Sequence, residues 1–538
     1  MRIIPSVVAL SSVWLLACGH SATTPAPGTG VGAGDWPSYN RTLAGDRFSP
    51  LTEITPSNVA QLTQVCTYNL PEVAALQSGP IVVGGAMFFS TDTITYAIDA
   101  ATCAERWHKA RHVTTPGGGP AVNRGVAYSN GRVYRGTSDA HVLALDAGDG
   151  HSVWDITLDV AGPGVQVPMA PIAWHDKIFI GNAGGDRAGV IGHVYALDAA
   201  TGRVAWKFDV VPPEARATWG KGAASAYPIS GGAFWTSFTL DENRGVLYVS
   251  AGNPAPDFDA AMRDGENLYA NSLIALDAAS GRMLGFNQIV KHDFHDWDVD
   301  SPSPVVTLRS GRAVVASANK DGLLSVLDRS RLGASGATPV EMPILYQVPT
   351  TTRENIDVPL SRDRPTRFCP GILGGAEWNG AAYDATRNAF FVGANDWCST
   401  VQLQRENSPA PRVGAGWFGA AVNRNDSAQY ARGWLTAYDA ETGRVRWKFA
   451  APRPVLAGVT PTGGGLVFTA DIGGNAYAFD ADNGRVLWKQ DVGQSIGGGV
   501  VSYLAGAKQR IGIAVGMRSP IWPGGSAASR IVVFGLRQ

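Results

Sequence analysis

The feature that most restricts how this chain can fold is a recurring pattern, Ala-x-Asp-x-x-x-Gly-x-x-x-Trp, with the indole eight positions after the carboxylate. Complete copies are Asp146/Gly150/Trp154, Asp198/Gly202/Trp206, Asp439/Gly443/Trp447 and Asp480/Gly484/Trp488. Asp99 to Trp107 keeps the spacing but has Cys103 at the glycine position, Asp277/Gly281 ends in Gly285, and Leu327-Asp328-Arg329 keeps only the strand and its Asp. A strand-forming run such as Val194-Tyr195-Ala196-Leu197 leads into each Asp, and another such as Val204-Ala205-Trp206-Lys207-Phe208 leads away. Asp with Gly four residues on is a hairpin turn, the glycine supplying a positive φ. Adjacent copies lie 41 to 52 positions apart, close to one four-stranded propeller blade. Two gaps are longer, 79 positions from Asp198 to Asp277 and 111 from Asp328 to Asp439; each has room for a degenerate blade or a long insertion. Seven copies, plus one hidden or split between the termini, predict an all-β fold, an eight-bladed β-propeller. In it each Trp packs between neighbouring blades. Such repeats carry structure and no chemistry.

Chemistry needs other residues, and the densest candidate is the run His292-Asp293-Phe294-His295-Asp296-Trp297-Asp298-Val299-Asp300. Burying it demands a cation or shared protons; left in solvent it is an acidic loop. Lys and Arg number 44 against 45 Asp and Glu. That balance, with no basic run, gives no field to attract nucleic acid.

Residues 1–18 read as a lipoprotein export signal: Arg2, an apolar stretch through Val13-Trp14-Leu15, then the lipobox Leu15-Leu16-Ala17-Cys18, whose Cys is the acylation site. An ordinary signal peptide or a short anchor is the alternative. Gly19 after the Cys fits sorting to an outer membrane. Residues 19–34, rich in Ser, Ala, Thr, Pro and Gly, form a flexible tether, and 35–538 a single domain. No later stretch has the ~18 to 20 apolar residues needed to span a bilayer. The expected place is the periplasm, with membrane contact only through the lipid. Four of the five cysteines then remain in an oxidising compartment, and three pairings are open. Cys66–Cys103 and Cys369–Cys398 are favoured because each pair lies within one region bounded by turns.

The repeat is similar to the tryptophan-docking motif of the quinoprotein dehydrogenases that use pyrroloquinoline quinone (PQQ). Several stretches outside the repeats strengthen the resemblance: Asp35-Trp36-Pro37-Ser38-Tyr39-Asn40 followed by Ala44-Gly45-Asp46-Arg47-Phe48-Ser49-Pro50-Leu51, then Ala121-Val122-Asn123-Arg124-Gly125, Gly252-Asn253-Pro254-Ala255-Pro256 and Ala318-Asn319-Lys320-Asp321-Gly322. It runs from about residue 35 to the C-terminus. It implies oxidation of an alcohol, polyol or sugar hydroxyl by PQQ with calcium or a lanthanide. Two other readings share the repeats: a non-catalytic lipoprotein scaffold of outer-membrane assembly, and a dehydrogenase of polyvinyl-alcohol-type polymers.

The resemblance also assigns residues. Trp235, 18 positions before Asn253, falls where the family stacks an indole beneath the quinone. Arg124 matches the arginine that pairs with a cofactor carboxylate, and Lys320 the cation facing the quinone oxygens. Gln77 takes the place of a ring-contacting glutamate, and Ala183, Gly184 and Gly185 fit a close backbone approach on the other face. For the metal it implies Asp186, where the family usually has Glu, with Asn253 and Asp298, hard oxygen ligands suited to calcium. Aligned without a gap, Asp296 is the catalytic base, with His295 in place of the usual Trp. The other alignment makes Asp298 the base and Asp300 its companion. The chain departs from the family in having Gly118-Gly119 where methanol-oxidising members carry adjacent cysteines, and Pro168 where a hydroxyl residue is common. It has no Cys-x-x-Cys-His haem site. Electrons must leave to a separate acceptor, a cytochrome c or a quinone.

Overall fold

The computed structural model describes residues 34–113, 121–333, 338–406, 408–525 and 527–537, with Met1 and Gly32. Contacts divide the chain into Met1–Gly30 and Val31–Gln538. Cys18, the rest of the export signal, most of the tether, Gly118 and Gly119 lie outside the described residues.

In the larger unit, the described residues form eight antiparallel sheets of one plan, four strands each. We number the blades by chain order of their first strands: blade 1 (81–110), blade 2 (127–157), blade 3 (172–209), blade 4 (239–288), blade 5 (305–349), blade 6 (381–451) and blade 7 (460–491). Blade 8 takes three strands from the C-terminus, within 500–536, and its fourth from Leu62–Asn69. Leu62 pairs with Leu536 and Asn69 with Arg530, so the ring is closed by the two ends of the chain. The eighth blade is the one split between the termini. Blade 4 gains a short parallel strand, Val340–Glu341. Among the described residues, no helix is long and apolar enough to cross a membrane.

Each motif Asp ends the third strand of its blade, and the indole that follows docks on the next blade. Trp107, Trp154, Trp206 and Trp447 donate Nε1–H to the carbonyls of Ala147, Ala199, Ala278 and Ala481, at 3.0, 3.2, 3.1 and 2.9 Å. Each acceptor is the residue after the next blade's Asp. The motif glycine has a second duty beyond its φ: a Cβ on Gly150, Gly202, Gly281 or Gly484 would come within 2.4 to 2.9 Å of the docked ring. Blade 5 lacks the Trp and uses Tyr346, whose hydroxyl donates to Ala440 O at 2.7 Å. Between blades 8 and 1 the glycine position holds Cys103, at φ 60°, disulfide-bonded to Cys66 on the outer strand of blade 8.

The two long gaps in the repeat are insertions, and neither hides a blade. The first carries the chain over residues 210–238 before blade 4. The second holds a three-stranded sheet (366–368, 399–403, 420–425) that no repeat announces, stapled by Cys369–Cys398.

Candidate active site

Two kinds of connection build one cavity of about 890 Å³. The first leads from one blade into the first strand of the next: Gln77, Arg124, Pro168, Trp235 and Glu377 each stand three or four residues before such a strand, and all line the cavity. The second joins the second and third strands within a blade and brings Ala183, Gly184, Gly185 and Asp186 from blade 3, Asn253 from blade 4 and Lys320 from blade 5. A ring of blades brings equivalent connections to one end, so residues far apart in sequence share a wall.

The acidic run is the connection from blade 4 to blade 5, folded by its own first carboxylate. Asp293 accepts from the backbone N–H of His295 at 3.0 Å and of Trp297 at 3.1 Å. Burial pushes that carboxyl up, but the hydrogen bond and charge of His295 and the charge of Arg263 hold it below its usual range. His295 stacks on Trp297 with ring centroids 3.9 Å apart, and the Trp297 indole donates to Pro370 O. With those rings buried, Asp296 takes a left-handed turn at φ 65°, which Asp tolerates better than most residues. Asp296 and Asp298 both reach the cavity; Asp300 is buried and does not line it.

The two cavity carboxylates differ in their partners. Asp298 accepts from Asn253 N–H at 2.9 Å, from Lys320 Nζ at 3.0 Å and from Trp235 Nε1 at 3.5 Å. Gly252 permits this, because a Cβ there would lie 2.3 Å from Asp298 Oδ1. Asp296 has one contact in common, Lys320 Nζ at 3.2 Å. Burial and the charges of Asp298, Asp186 and Asp293 hold the Asp296 carboxyl well above its ordinary range against the pull of Lys320. Lys320 stays charged: burial opposes it, but Asp296, Asp298, Glu377 and Asp300 outweigh that and raise it.

Around Asp296 the structure gathers Asp186 and Asp257, one carboxylate oxygen of each lying within 4.8 Å of the others. Burial and the charge of Asp298 push Asp186 up to about 6. Asp298, expected among the metal ligands, accepts from Lys320 and the Asn253 N–H; the cluster around Asp296 also holds Asp257, which sequence reasoning passed over. Asn253 donates Nδ2–H to Asp257 Oδ1 at 3.1 Å, which leaves its amide oxygen as the acceptor.

The Arg124 guanidinium lies 4.6 Å from the Trp235 ring centre and 5.1 Å from that of Trp378, and donates to Trp235 O at 3.2 Å. Burial lowers Arg124 to about 10, still cationic at neutral pH. Glu377, also missed from the sequence, is pushed up to about 8 by burial. Among the described residues, Gln77 Oε1, Arg124 Nε and Glu377 Oε1 are buried with no hydrogen-bond partner. Such atoms are costly in a dry interior. Unpartnered polar atoms on the wall, two cations and an indole fit a flat polycarboxylate, and the carboxylate cluster fits a hard cation. Every cavity residue expected with Asp296 as the base lines this one cavity, and Asp300, the companion carboxylate of the other alignment, does not.

Residues 36–343 match the family model described as glucose/ethanol/alcohol dehydrogenase, beta-propeller domain. Residues 431–513 match that of outer membrane protein assembly factor BamB, a stretch that holds docking repeats and contributes no residue to the cavity. The chain is 28% identical over 519 residues to a quinohemoprotein alcohol dehydrogenase of Comamonas testosteroni, covering 90% of this chain and 72% of that protein. In fold it is similar to a quinohemoprotein alcohol dehydrogenase from Pseudomonas putida HK5, with TM-score 0.83 and 24% identity over 94% of this chain and 80% of that one. A europium-containing methanol dehydrogenase gives TM-score 0.82 and 23% identity over 94% and 98%.

Proposed function

The chain belongs to the β-propeller family of PQQ-dependent glucose, ethanol and alcohol dehydrogenases, and from that premise we propose that it oxidises an alcohol, polyol or sugar hydroxyl and passes the electrons to a separate acceptor, a cytochrome c or a quinone. The observation that carries the reading is the convergence of Arg124, Trp235, Lys320, Asp186, Asn253 and Asp296 on one cavity. A scaffold has no use for that set.

PQQ with a calcium or lanthanide ion, when bound, would supply an electrophilic carbonyl able to accept hydride. The chain's own residues do the rest. Trp235 offers the flat face beneath the cofactor. Arg124 and Lys320 meet its carboxylates and oxygens, and Gln77 and the backbone of Ala183, Gly184 and Gly185 complete the pocket. Asp186, Asn253 and Asp298 would hold the cation. Asp296 would be the base, its ionised carboxylate taking the hydroxyl proton as the carbon gives up hydride, and a cation held beside it would favour that ionised form. Asp298 orients that base through Lys320, which bonds to both carboxylates at 3.2 and 3.0 Å.

Reconstituting the metal-free protein with PQQ and either calcium or a lanthanide, then screening alcohols, polyols and sugars with a dye acceptor, tests the proposal. Turnover that requires both PQQ and metal is the expected result; quinone binding without oxidation of any hydroxyl compound would sink it. Acylation of Cys18 and periplasmic, outer-membrane placement belong to the same reading. Labelled fatty acid should enter the wild type and be lost in Cys18→Ser, and label retained in that variant removes the anchor.

A further inference from the structure

The connection that carries Asn253 continues through Pro254-Ala255-Pro256 to Asp257, a residue to which neither the repeat nor the resemblance gives a task. Asp257 is fully buried. Asn253 Nδ2 donates to its Oδ1 at 3.1 Å, whereas its Oδ2 meets no hydrogen-bond donor among the described residues. Arg263, the nearest guanidinium on the same connection, binds backbone carbonyls of Pro256, Asp257 and Asp293 and the Asn267 amide, and its bond to Asp257 is to the main chain. A fully buried carboxylate oxygen without a donor demands either a proton or a cation. The demand is shared, since one oxygen each of Asp186, Asp257 and Asp296 lies within 4.8 Å of the others.

We propose that Asp257 is a metal ligand and that, by its added charge, the site selects a trivalent cation of the lanthanide class over calcium. The charge count decides the class. Asp186, Asp257, Asp296 and Asp298 bring four carboxylates, which a bound cation keeps ionised, and Lys320, bonded to Asp296 and Asp298, brings one ammonium; Arg263, whose charge reaches Asp257, is offset by Asp293, and Arg187 acts on Asp186 at the open side of the cluster, so three negative charges remain inside. A divalent ion leaves one of them uncompensated; a trivalent ion leaves none. Coulomb attraction grows with the product of charges, so each further carboxylate favours a trivalent over a divalent ion of similar size. Both ions accept hard oxygen ligands in flexible geometry, and charge is what separates them here.

The inference rests on the proposed metal site and is tested apart from catalysis. Terbium is titrated into the full-length, metal-free, PQQ-free protein with excitation of the indoles, and its luminescence is competed with calcium. A parallel Asp149→Asn variant removes any signal from the exposed Asp146/Asp149/His151 group. Asp257→Asn keeps the shape and the acceptor for Asn253. It should weaken terbium at least tenfold more than calcium, so that the ratio of the two dissociation constants narrows by that factor. The proposal is overturned by wild-type protein that binds both ions within about threefold of each other, by an Asp257→Asn ratio equal to wild type, or by the absence of terbium binding. The wild-type ratio is decisive even if the variant does not fold. Alcohol oxidation with calcium in a protein that ignores terbium would defeat this inference and leave the enzyme assignment standing; terbium bound through Asp257 in a protein that oxidises nothing would do the reverse.

Discussion

Gly484 combines the two demands that docking makes on the motif glycine, and they can be separated by experiment. It sits at φ 72°, and a Cβ there would come 2.5 and 2.6 Å from Cε3 and Cδ2 of Trp447. Gly506 has φ 61° and nothing within 4 Å of its Cβ position. Alanine in the left-handed region costs about 1–2 kcal/mol at either site. Only Gly484→Ala adds overpacking against a rigid, buried indole, typically about 1–3 kcal/mol. The totals are about 2–5 kcal/mol for Gly484→Ala and about 1–2 for Gly506→Ala. Unfolding entropy of roughly 2.1 cal/mol/K per residue gives about 1 kcal/mol/K for a chain of about 500 residues, so the melting temperature should fall by about 2–5 °C in the first and about 1–2 °C in the second. Calorimetry at one scan rate and one metal load reads the difference. Trp447→Leu removes the ring, and in that background Gly484→Ala should cost no more than Gly506→Ala does. Equal shifts for the two single variants, or an undiminished effect without the indole, would refute the docking argument.

Asp296→Asn should bind quinone and metal and lose turnover by several orders of magnitude, whereas Asp298→Asn should keep part of its activity; the reverse pattern in steady-state kinetics moves the base two residues along. Trp235→Ala should lose quinone binding and still melt cooperatively, and cofactor affinity equal to wild type in a dye-free titration would show the indole is not the platform. Cys66→Ser should lower stability by about 2–5 kcal/mol, and alkylation under denaturing, non-reducing conditions should find no free thiol at Cys66 or Cys103 in wild type. Glu377, raised to about 8 in the folded chain from an ordinary 4.5, binds its proton more tightly folded than unfolded. Its stabilisation is full below about 4.5 and is lost as pH rises toward 8. The metal-free melting temperature should therefore fall across that window, and a fall just as steep in Glu377→Gln would contradict the shift.

The blades were legible because docking binds an Asp turn, a glycine and an indole to fixed spacing, and each is visible in one line of sequence. Blade 8 was legible only as one of two options, hidden or split between the termini, since its outer strand comes from Leu62–Asn69 and its seam uses Cys66 in place of Trp. Tyr346 escaped for a related reason: a phenol reaches the Ala440 carbonyl without the indole that the pattern demands. In the cavity, Arg124, Trp235, Asn253 and Lys320 could be carried over because their neighbours resemble a family, and Asp257 and Glu377 could not. Glu377 still had a signal. It stands four residues before the first strand of blade 6, as Gln77, Pro168 and Trp235 do before theirs, so the periodicity of the connections marks it where residue type does not. Asp257 had none, because only the folded chain sets it beside Asp186 and Asp296.

The join of Leu62–Asn69 to Arg530–Leu536 also orders the molecule in time. The strand made first during synthesis waits for the strand made last, so nearly the whole chain must be in hand before the ring can shut. Contacts that span so much sequence form slowly, and until they do, the edges of blade 8 stand open to pair with another chain. Other seams set when neighbouring blades meet, by burial and by hydrogen bonds such as those of Trp107, Trp154, Trp206 and Trp447. This one also takes an oxidation, Cys66 to Cys103. That bond ties the outer strand of blade 8 to blade 1 across 37 positions of sequence, so it can hold the waiting strand at the seam before its C-terminal partner has been made.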